Sequence, residues 1–162
     1  MSLLKVILIV GTTCVALFML LLVYTLWPKI RNISDHKQLK QFINTPLMIR
    51  SPAFIYKADK GQYRFVENVM TQDYQYADFK KFDLPVGSVI TIHEFKTYRN
   101  DGGSGFTDVW ALGQYIATTG ETIHFAYDWG NIDPGLYNNQ VPDLPVAPWT
   151  DSTSTPINIG IK

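Results

Sequence analysis

The residues of this chain able to do acid–base or metal chemistry are few and poorly spaced for it. His93 and Glu94 are adjacent, and neighbours on a strand point to opposite faces, so they reach one ion together only across a bulge. His124 and Asp128 share a strand face, but four residues of strand hold them about 13 Å apart, against metal–ligand distances near ~2 Å. A metal site would have to pair His93 with His124 across strands. A hydrolase would combine either histidine with Glu94, Asp101 or Asp128. Asp101 and Asp108 flank a Gly-rich loop that lacks the alternating carboxylates of a calcium loop. Gly102-Gly103-Ser104-Gly105-Phe106 puts Phe where a nucleophile elbow needs Gly, and a hairpin tip accounts for its glycines. The sole cysteine, Cys14, lies in an apolar run, which leaves the rest of the chain without thiol chemistry or disulfides. The expectation is a non-catalytic chain with no cofactor.

Binding chemistry is better represented. Nineteen of the 135 residues from Pro28 to Lys162 are Tyr, Phe or Trp. Some of these rings, with Tyr74, Tyr76, Tyr98 and Tyr115 as candidates, are available for protein or glycan contacts if one core cannot hide them all. Pro142, Pro145 and Pro148 recur every third residue, which aligns them on one edge of a polyproline II helix with Trp149 beside them. That edge either docks in a partner's aromatic groove or straps across the chain's own aromatic surface. The candidate binding residues are therefore Tyr98, Tyr115, Trp149, Pro142, Pro145 and Pro148.

The elements that must position them are mostly strands. Aromatic and β-branched residues interrupted by Gly and Asn turns favour an all-β fold. Ala53–Lys57 and Gln62–Glu67 flank Asp59-Lys60-Gly61 as a hairpin. Residues 68–83, with Tyr76, Phe79 and Phe82 at intervals of three, fit a helical turn or an aromatic loop. Ser88–Arg99 is a long strand with Ile90 and Ile92 on one face, and Phe106–Ala117 returns with Trp110, Leu112 and Ile116 on one face. In the last strand Ile123, Phe125, Tyr127 and Trp129 point one way and Thr122, His124, Ala126 and Asp128 the other. Five or six strands in a meander would close as a small antiparallel barrel, similar in pattern to an SH3-like barrel, or stay a curved sheet.

Ahead of this lie 22 uncharged residues, Val6 to Trp27. As a helix they measure about 33 Å, enough to cross a ~30 Å hydrocarbon layer, with Tyr24 and Trp27 at the headgroup level and Pro28 as terminator. The run is too long, and its end too bulky, for a cleaved signal peptide. Gly11-Thr12-Thr13-Cys14 lacks the Leu three places upstream of the cysteine that a lipoprotein would carry. The chain thus divides into a transmembrane signal anchor (1–28), a short helical stalk (29–45) with Leu39, Phe42 and Ile43 on one face, an antiparallel β domain (46–130), and a Pro-rich strap ending in an edge strand (131–162). Asn32-Ile33-Ser34 is also a glycosylation sequon.

Charge is balanced overall but not along the chain. Residues 28–99 hold twelve Lys and Arg against seven Asp and Glu, and residues 100–161 hold seven acids and no Lys or Arg. The basic part would be drawn to an anionic bilayer surface and the acidic part would face away. No basic stripe suits nucleic acid. Lys5 before the span, against Lys29, Arg31, Lys37 and Lys40 after it, argues for a cytoplasmic domain, whereas a short leader before a following soluble domain is the layout of an exported one. The second argument is preferred. The expectation is a single-pass protein of the cell envelope with an extracytoplasmic (periplasmic) domain that binds a protein partner, either as an accessory subunit of a membrane complex or as an immunity protein against a toxin. The alternative is an envelope hydrolase or glycan-binding protein built on His93 and His124.

Overall fold

The structure is a computed structural model that describes residues 3–27, 29–58, 65–99, 107–132, 144–151, 153, 156, 157 and 159. The apolar run forms α1, Leu3–Leu26, and its stretch Ile7–Leu26 is long and apolar enough to cross a bilayer, as a transmembrane anchor or a signal sequence is. None of that stretch is buried against the rest of the chain. Its threonines satisfy their hydroxyls within the helix: Thr13 donates to the Ile9 carbonyl at 2.8 Å and Thr25 to the Leu21 carbonyl at 3.0 Å.

The rest is mainly sheet. Its strands are β1 (Lys29–Asn32), β2 (Pro46–Met48), β3 (Ala53–Lys57), β4 (Asn68–Thr71), β5 (Lys80–Leu84), β6 (Val89–Arg99), β7 (Thr107–Ile116) and β8 (Thr122–Asn131). They lie in the order β1-β6-β7-β8-β4-β3-β5, and β2 also pairs with β6. Three expectations are corrected. The sheet is open, ending at β5 on one side and at β1 and β2 on the other, so it is not a closed barrel. It is mixed rather than antiparallel, because β4 runs parallel to β8, with Val69 opposite Ala126 and Met70 opposite Tyr127. Only β6-β7-β8 is a meander; β4 and β3 join it on the far side of β8. The free edge at β5 carries Lys80, Lys81 and Asp83, with Lys80 and Asp83 paired at 2.9 Å, and charges on an edge discourage pairing with another chain.

The sheet buries most of its apolar side chains on one face, and a smaller buried cluster of Phe54, Tyr56, Ala58 and Val69 forms on the other face of β3 and β4. Ile90, Ile92, Phe95, Val109, Ala111, Ile123, Phe125, Tyr127 and Trp129 point into the core, and burial along β8 alternates as its sequence implies except at Ala126, which is buried opposite Val69. On β6 the inward side changes at His93, where a bulge separates Ile92, opposite Gly113, from Glu94, opposite Leu112. Ile90 and Ile92 are buried before it and Phe95 and Thr97 after it. Gly113 fits here because a Cβ would lie 2.5 Å from the Thr91 carbonyl oxygen. On β7 Val109 and Ala111 face the core, so Trp110, Leu112 and Ile116 do share a face, but it is the outer one.

Two segments cover the core. Residues 33–49 contribute Leu39 and Ile49, and residues 144–159 contribute Leu144, Ala147, Trp149 and Ile159, all buried. The expected stalk helix is instead a strand followed by turns and a 3-10 turn at Lys40–Phe42. The Ile33 amide donates to the Phe95 carbonyl and the Asn44 amide to the Ile92 carbonyl. Those carbonyls are three residues apart, about 10 Å, so the intervening segment has to fold back rather than extend. In the first hairpin the partner of β3 is β4, starting at Asn68 rather than Gln62; residues 59–64 lie outside the described set. The basic and acidic parts of the chain are interleaved. The central strands β7 and β8 come from the acidic part and are flanked on both sides by strands of the basic part.

Candidate functional site

The sequence leaves His93 and His124 to check, with each other and with Glu94, Asp101 or Asp128, of which Asp101 lies outside the described residues. The bulge puts His93 and Glu94 on the same outer surface, but each is engaged locally: His93 Nδ1 lies 2.9 Å from Asn44 Oδ1, while Glu94 accepts from Asn32 Nδ2 at 2.8 Å and pairs with Lys96 at 2.9 Å. His124 is on β8, with all of β7 between it and β6, so strand spacing alone separates the two by about 10 Å. Among the described residues no three His, Cys, Asp or Glu cluster closely enough to hold a metal ion.

The aromatic candidates divide by burial. Trp149 is 5% exposed, edge-on to Trp129 at 5.3 Å and to Tyr127 at 5.2 Å. With Phe42 and Phe95, also in ring contact with Trp129, these five rings form the centre of the core. Tyr115 is half-buried and packs against the core, and half-buried Tyr98 meets Phe65 on the outer face. Tyr74 is the openly exposed tyrosine of the four, and Tyr76 stacks on Tyr56 at 5.0 Å. Part of the proline edge is tied to its own chain, although the Pro145 residue itself is exposed. The Trp129 indole donates to the Pro145 carbonyl at 2.8 Å, the Pro148 carbonyl accepts from the Arg50 and Ser51 amides, and Pro148 is buried. Pro142 lies outside the described residues.

Two surface features were not foreseen. A cleft of about 340 Å³ opens between the 3-10 turn at Lys40–Phe42 and the strap, lined by Phe42, Trp129, Trp149, Val146, Arg50 and Asp151 among others. Arg50 and Asp151 approach to 3.7 Å, and the buried Trp149 indole N–H has no acceptor among the described residues. The cleft draws on three separate stretches of chain, so no local pattern could announce it. The second feature is a row of exposed apolar residues. Met48 on β2 is opposite Val89 on β6, and the register that sets Ile90 against Tyr115 brings Ile116 on β7 beside Val89. Val86 adds to it from the turn before β6, and all four are about half exposed. Parity held the clue: Met48 and Val89 alternate with the core residues Leu47 and Ile90, so they belong on the water side.

Electrostatics add a constraint at the end of β8. Burial raises the Asp128 carboxyl above its ordinary value, against a hydrogen bond from the Gly130 amide that lowers it. Burial, and then the Asp128 charge, push the Tyr127 hydroxyl up to about 12, so it stays neutral at physiological pH. Comparison with protein-family models, with curated proteins and with solved structures finds no match to this chain.

Proposed function

We propose that this chain is a membrane-anchored, non-catalytic interaction module of the cell envelope. Its domain, on the extracytoplasmic side, binds a protein as an accessory subunit of a membrane complex or as an inhibitor of an envelope-acting toxin. The observation that carries this reading is the row Met48, Val86, Val89 and Ile116, because contiguous exposed apolar surface on a soluble domain marks a contact site. The row sits at the start of β6, whereas α1 joins the sheet at the other end, where β1 pairs with Lys96–Arg99. Anchoring concentrates such a surface in a thin layer beside the membrane and raises its effective concentration without new contacts.

The test is affinity purification of the full-length, C-terminally tagged protein from its native membrane in mild detergent. A stoichiometric partner is expected, and its compartment fixes the topology. Met48→Asp together with Ile116→Asp should abolish recovery of that partner while the protein stays folded. Recovery of the protein alone, or a partner indifferent to the substitutions, would sink the reading. A second reading, binding of a glycan, is favoured by the aromatic-floored cleft and its Arg50–Asp151 rim. Soluble cell-wall oligosaccharides that shift the Trp129 and Trp149 indole resonances would support it.

A further inference from the structure

The joint between helix and sheet is short. α1 ends at Leu26 and β1 starts at Lys29, so at most about 11 Å of chain separates the end of the helix from the first strand. β1 then pairs with Lys96–Arg99, the C-terminal end of β6, and the same end of the sheet holds the start of β7, with Thr107 opposite Arg99, and the last residue of β8, with Asn131 opposite Asp108. If α1 spans a bilayer, this end of the domain lies at the headgroups.

Its residues suit that position. Lys29, Arg31 and Arg99 are exposed and neighbours in the register, Lys29 opposite Arg99 and Arg31 opposite Thr97. On the alternate side of the same strands Ile30, 49% exposed, is opposite Tyr98, and Tyr98 meets the edge of Phe65. Asp108, opposite Tyr98 on β7, is the acid in the same rows. Cations on one face and Ile30 with half-buried Tyr98 on the other bring both kinds of group that a bilayer interface holds, phosphate-binding and amphipathic or apolar, to this one end of the sheet.

We infer that this end of the sheet is a lipid-binding surface. Lys29, Arg31 and Arg99 engage anionic headgroups while Ile30 and Tyr98 seat in the interface, so the domain stands on the membrane rather than swinging from its anchor. β6 then runs away from the bilayer, and its eleven residues place Val89 about 33 Å from Arg99, which holds the apolar row clear for a partner. The inference rests on α1 as an uncleaved anchor, and not on the identity of any partner.

The experiment is NMR of the full-length protein in nanodiscs doped with a gadolinium-headgroup lipid. Discs of phosphatidylcholine alone are compared with discs containing phosphatidylglycerol. The expected result is strong broadening of the Ile30, Arg31, Tyr98 and Arg99 amides in anionic discs, with Val89 and Ile116 sharp. Neutral lipid, ~1 M salt (Debye length ~3 Å), or Lys29→Glu with Arg31→Glu should let the domain topple and extend broadening to Val89 and Ile116. Broadening that reaches Val89 and Ile116 already in anionic discs would overturn the inference. So would a pattern indifferent to lipid charge, salt and the double substitution. If Ile30 and Tyr98 are shielded only when a copurified partner is present, the surface belongs to that partner and the lipid assignment falls. A mature protein lacking α1 by mass would overturn the inference together with the anchor, a failure visible before any spectrum is recorded.

Discussion

The β6-β7-β8 meander and the segments that cover its inner face are held by different means. In the meander each strand is hydrogen-bonded along almost its whole length, from Ile90 opposite Tyr115 to Arg99 opposite Thr107 and from Asp108 opposite Asn131 to Ile116 opposite Thr122. Outside β2, which pairs with β6 over three residues, the cover has scattered backbone bonds, such as Ile33 to Phe95, Asn44 to Ile92, Ile49 to Ser88 and Leu144 to Ile157. What fixes it is side-chain insertion: Leu39, Leu144, Trp149 and Ile159 are each at most 5% exposed. A ladder tolerates local damage because neighbouring bonds persist, whereas a cover held by inserted rings depends on each of them.

The largest expected effect follows from that contrast. Trp149→Ala removes a buried ring in contact with Tyr127 and Trp129 and should cost about 3–5 kcal/mol. Amide exchange should rise first at Leu144 and Thr150, with the meander amides still protected, and uniform loss of protection would mean that cover and sheet are one cooperative unit. Trp149→Phe sharpens the point. The indole N–H has no acceptor among the described residues, so its removal breaks no hydrogen bond to them, and the cost should stay well below that of the alanine variant.

Gly113→Ala attacks the ladder instead. The new Cβ would meet the Thr91 carbonyl oxygen at 2.5 Å and Phe125 at 3.0 Å, so backbone has to move. We expect a loss of about 1–3 kcal/mol, read as a drop in the denaturant midpoint, with exchange rising across β6 and β7 together. A neutral substitution would mean that the bulge at His93 relaxes to make room.

Asn44 joins cover to sheet in a left-handed conformation, φ 54°, with its amide on the Ile92 carbonyl and its side chain at His93. Asn44→Ala should cost about 1 kcal/mol or somewhat more, because alanine lacks the short polar side chain by which Asn tolerates that backbone and the His93 contact is lost. Asn44→Gly keeps the backbone and should recover part of the loss. Equal costs for both would assign the whole effect to the side-chain contact.

How much of this could be read in advance depends on what each residue faces. β8 was legible because its large residues all face the core, which writes period two into Ile123, Phe125, Tyr127 and Trp129, although Ala126 on the other face is buried against β4. β6 was legible as a strand but not in its inward side, since one unpaired residue at His93 reverses parity and leaves no trace in composition. β7 misleads because its small residues Ala111 and Gly113 face the core, where Phe95 and Phe125 fill the space, while larger Trp110 packs under Phe65 on the outer face. The parallel β4–β8 pair and the cover are long-range arrangements that no short window records. Of the residues singled out for binding, Trp149 and Pro148 are buried for one reason: a chain short of Leu uses its aromatic and proline-rich tail to finish its own core. The cleft was missed because it is assembled from segments distant in sequence; for the apolar row parity marks Met48 and Val89 as outward, but their meeting with Ile116 depends on the strand register.

The smallest effect tests the electrostatic end of β8, where cover and meander meet. The Asp128 carboxyl is raised by burial, so the folded state holds its proton to higher pH than the unfolded chain does. As pH rises through the ordinary carboxylate range towards that raised value, the unfolded state releases its proton first, and stability falls. Above both values the folded protein carries a charge that it would be more stable without. Asp128→Asn keeps an oxygen to accept from the Gly130 amide and removes the charge. At neutral pH it should therefore stabilise slightly, within about 0.5 kcal/mol, and flatten the pH dependence of unfolding between pH 4 and 7 (roughly the carboxylate range). It should also lower the Tyr127 hydroxyl from about 12, because the Asp128 charge is the second contribution holding it there. A variant less stable at neutral pH, with the tyrosine titration unmoved, would show that the Gly130 bond outweighs burial and that Asp128 helps to hold the end of β8 in place.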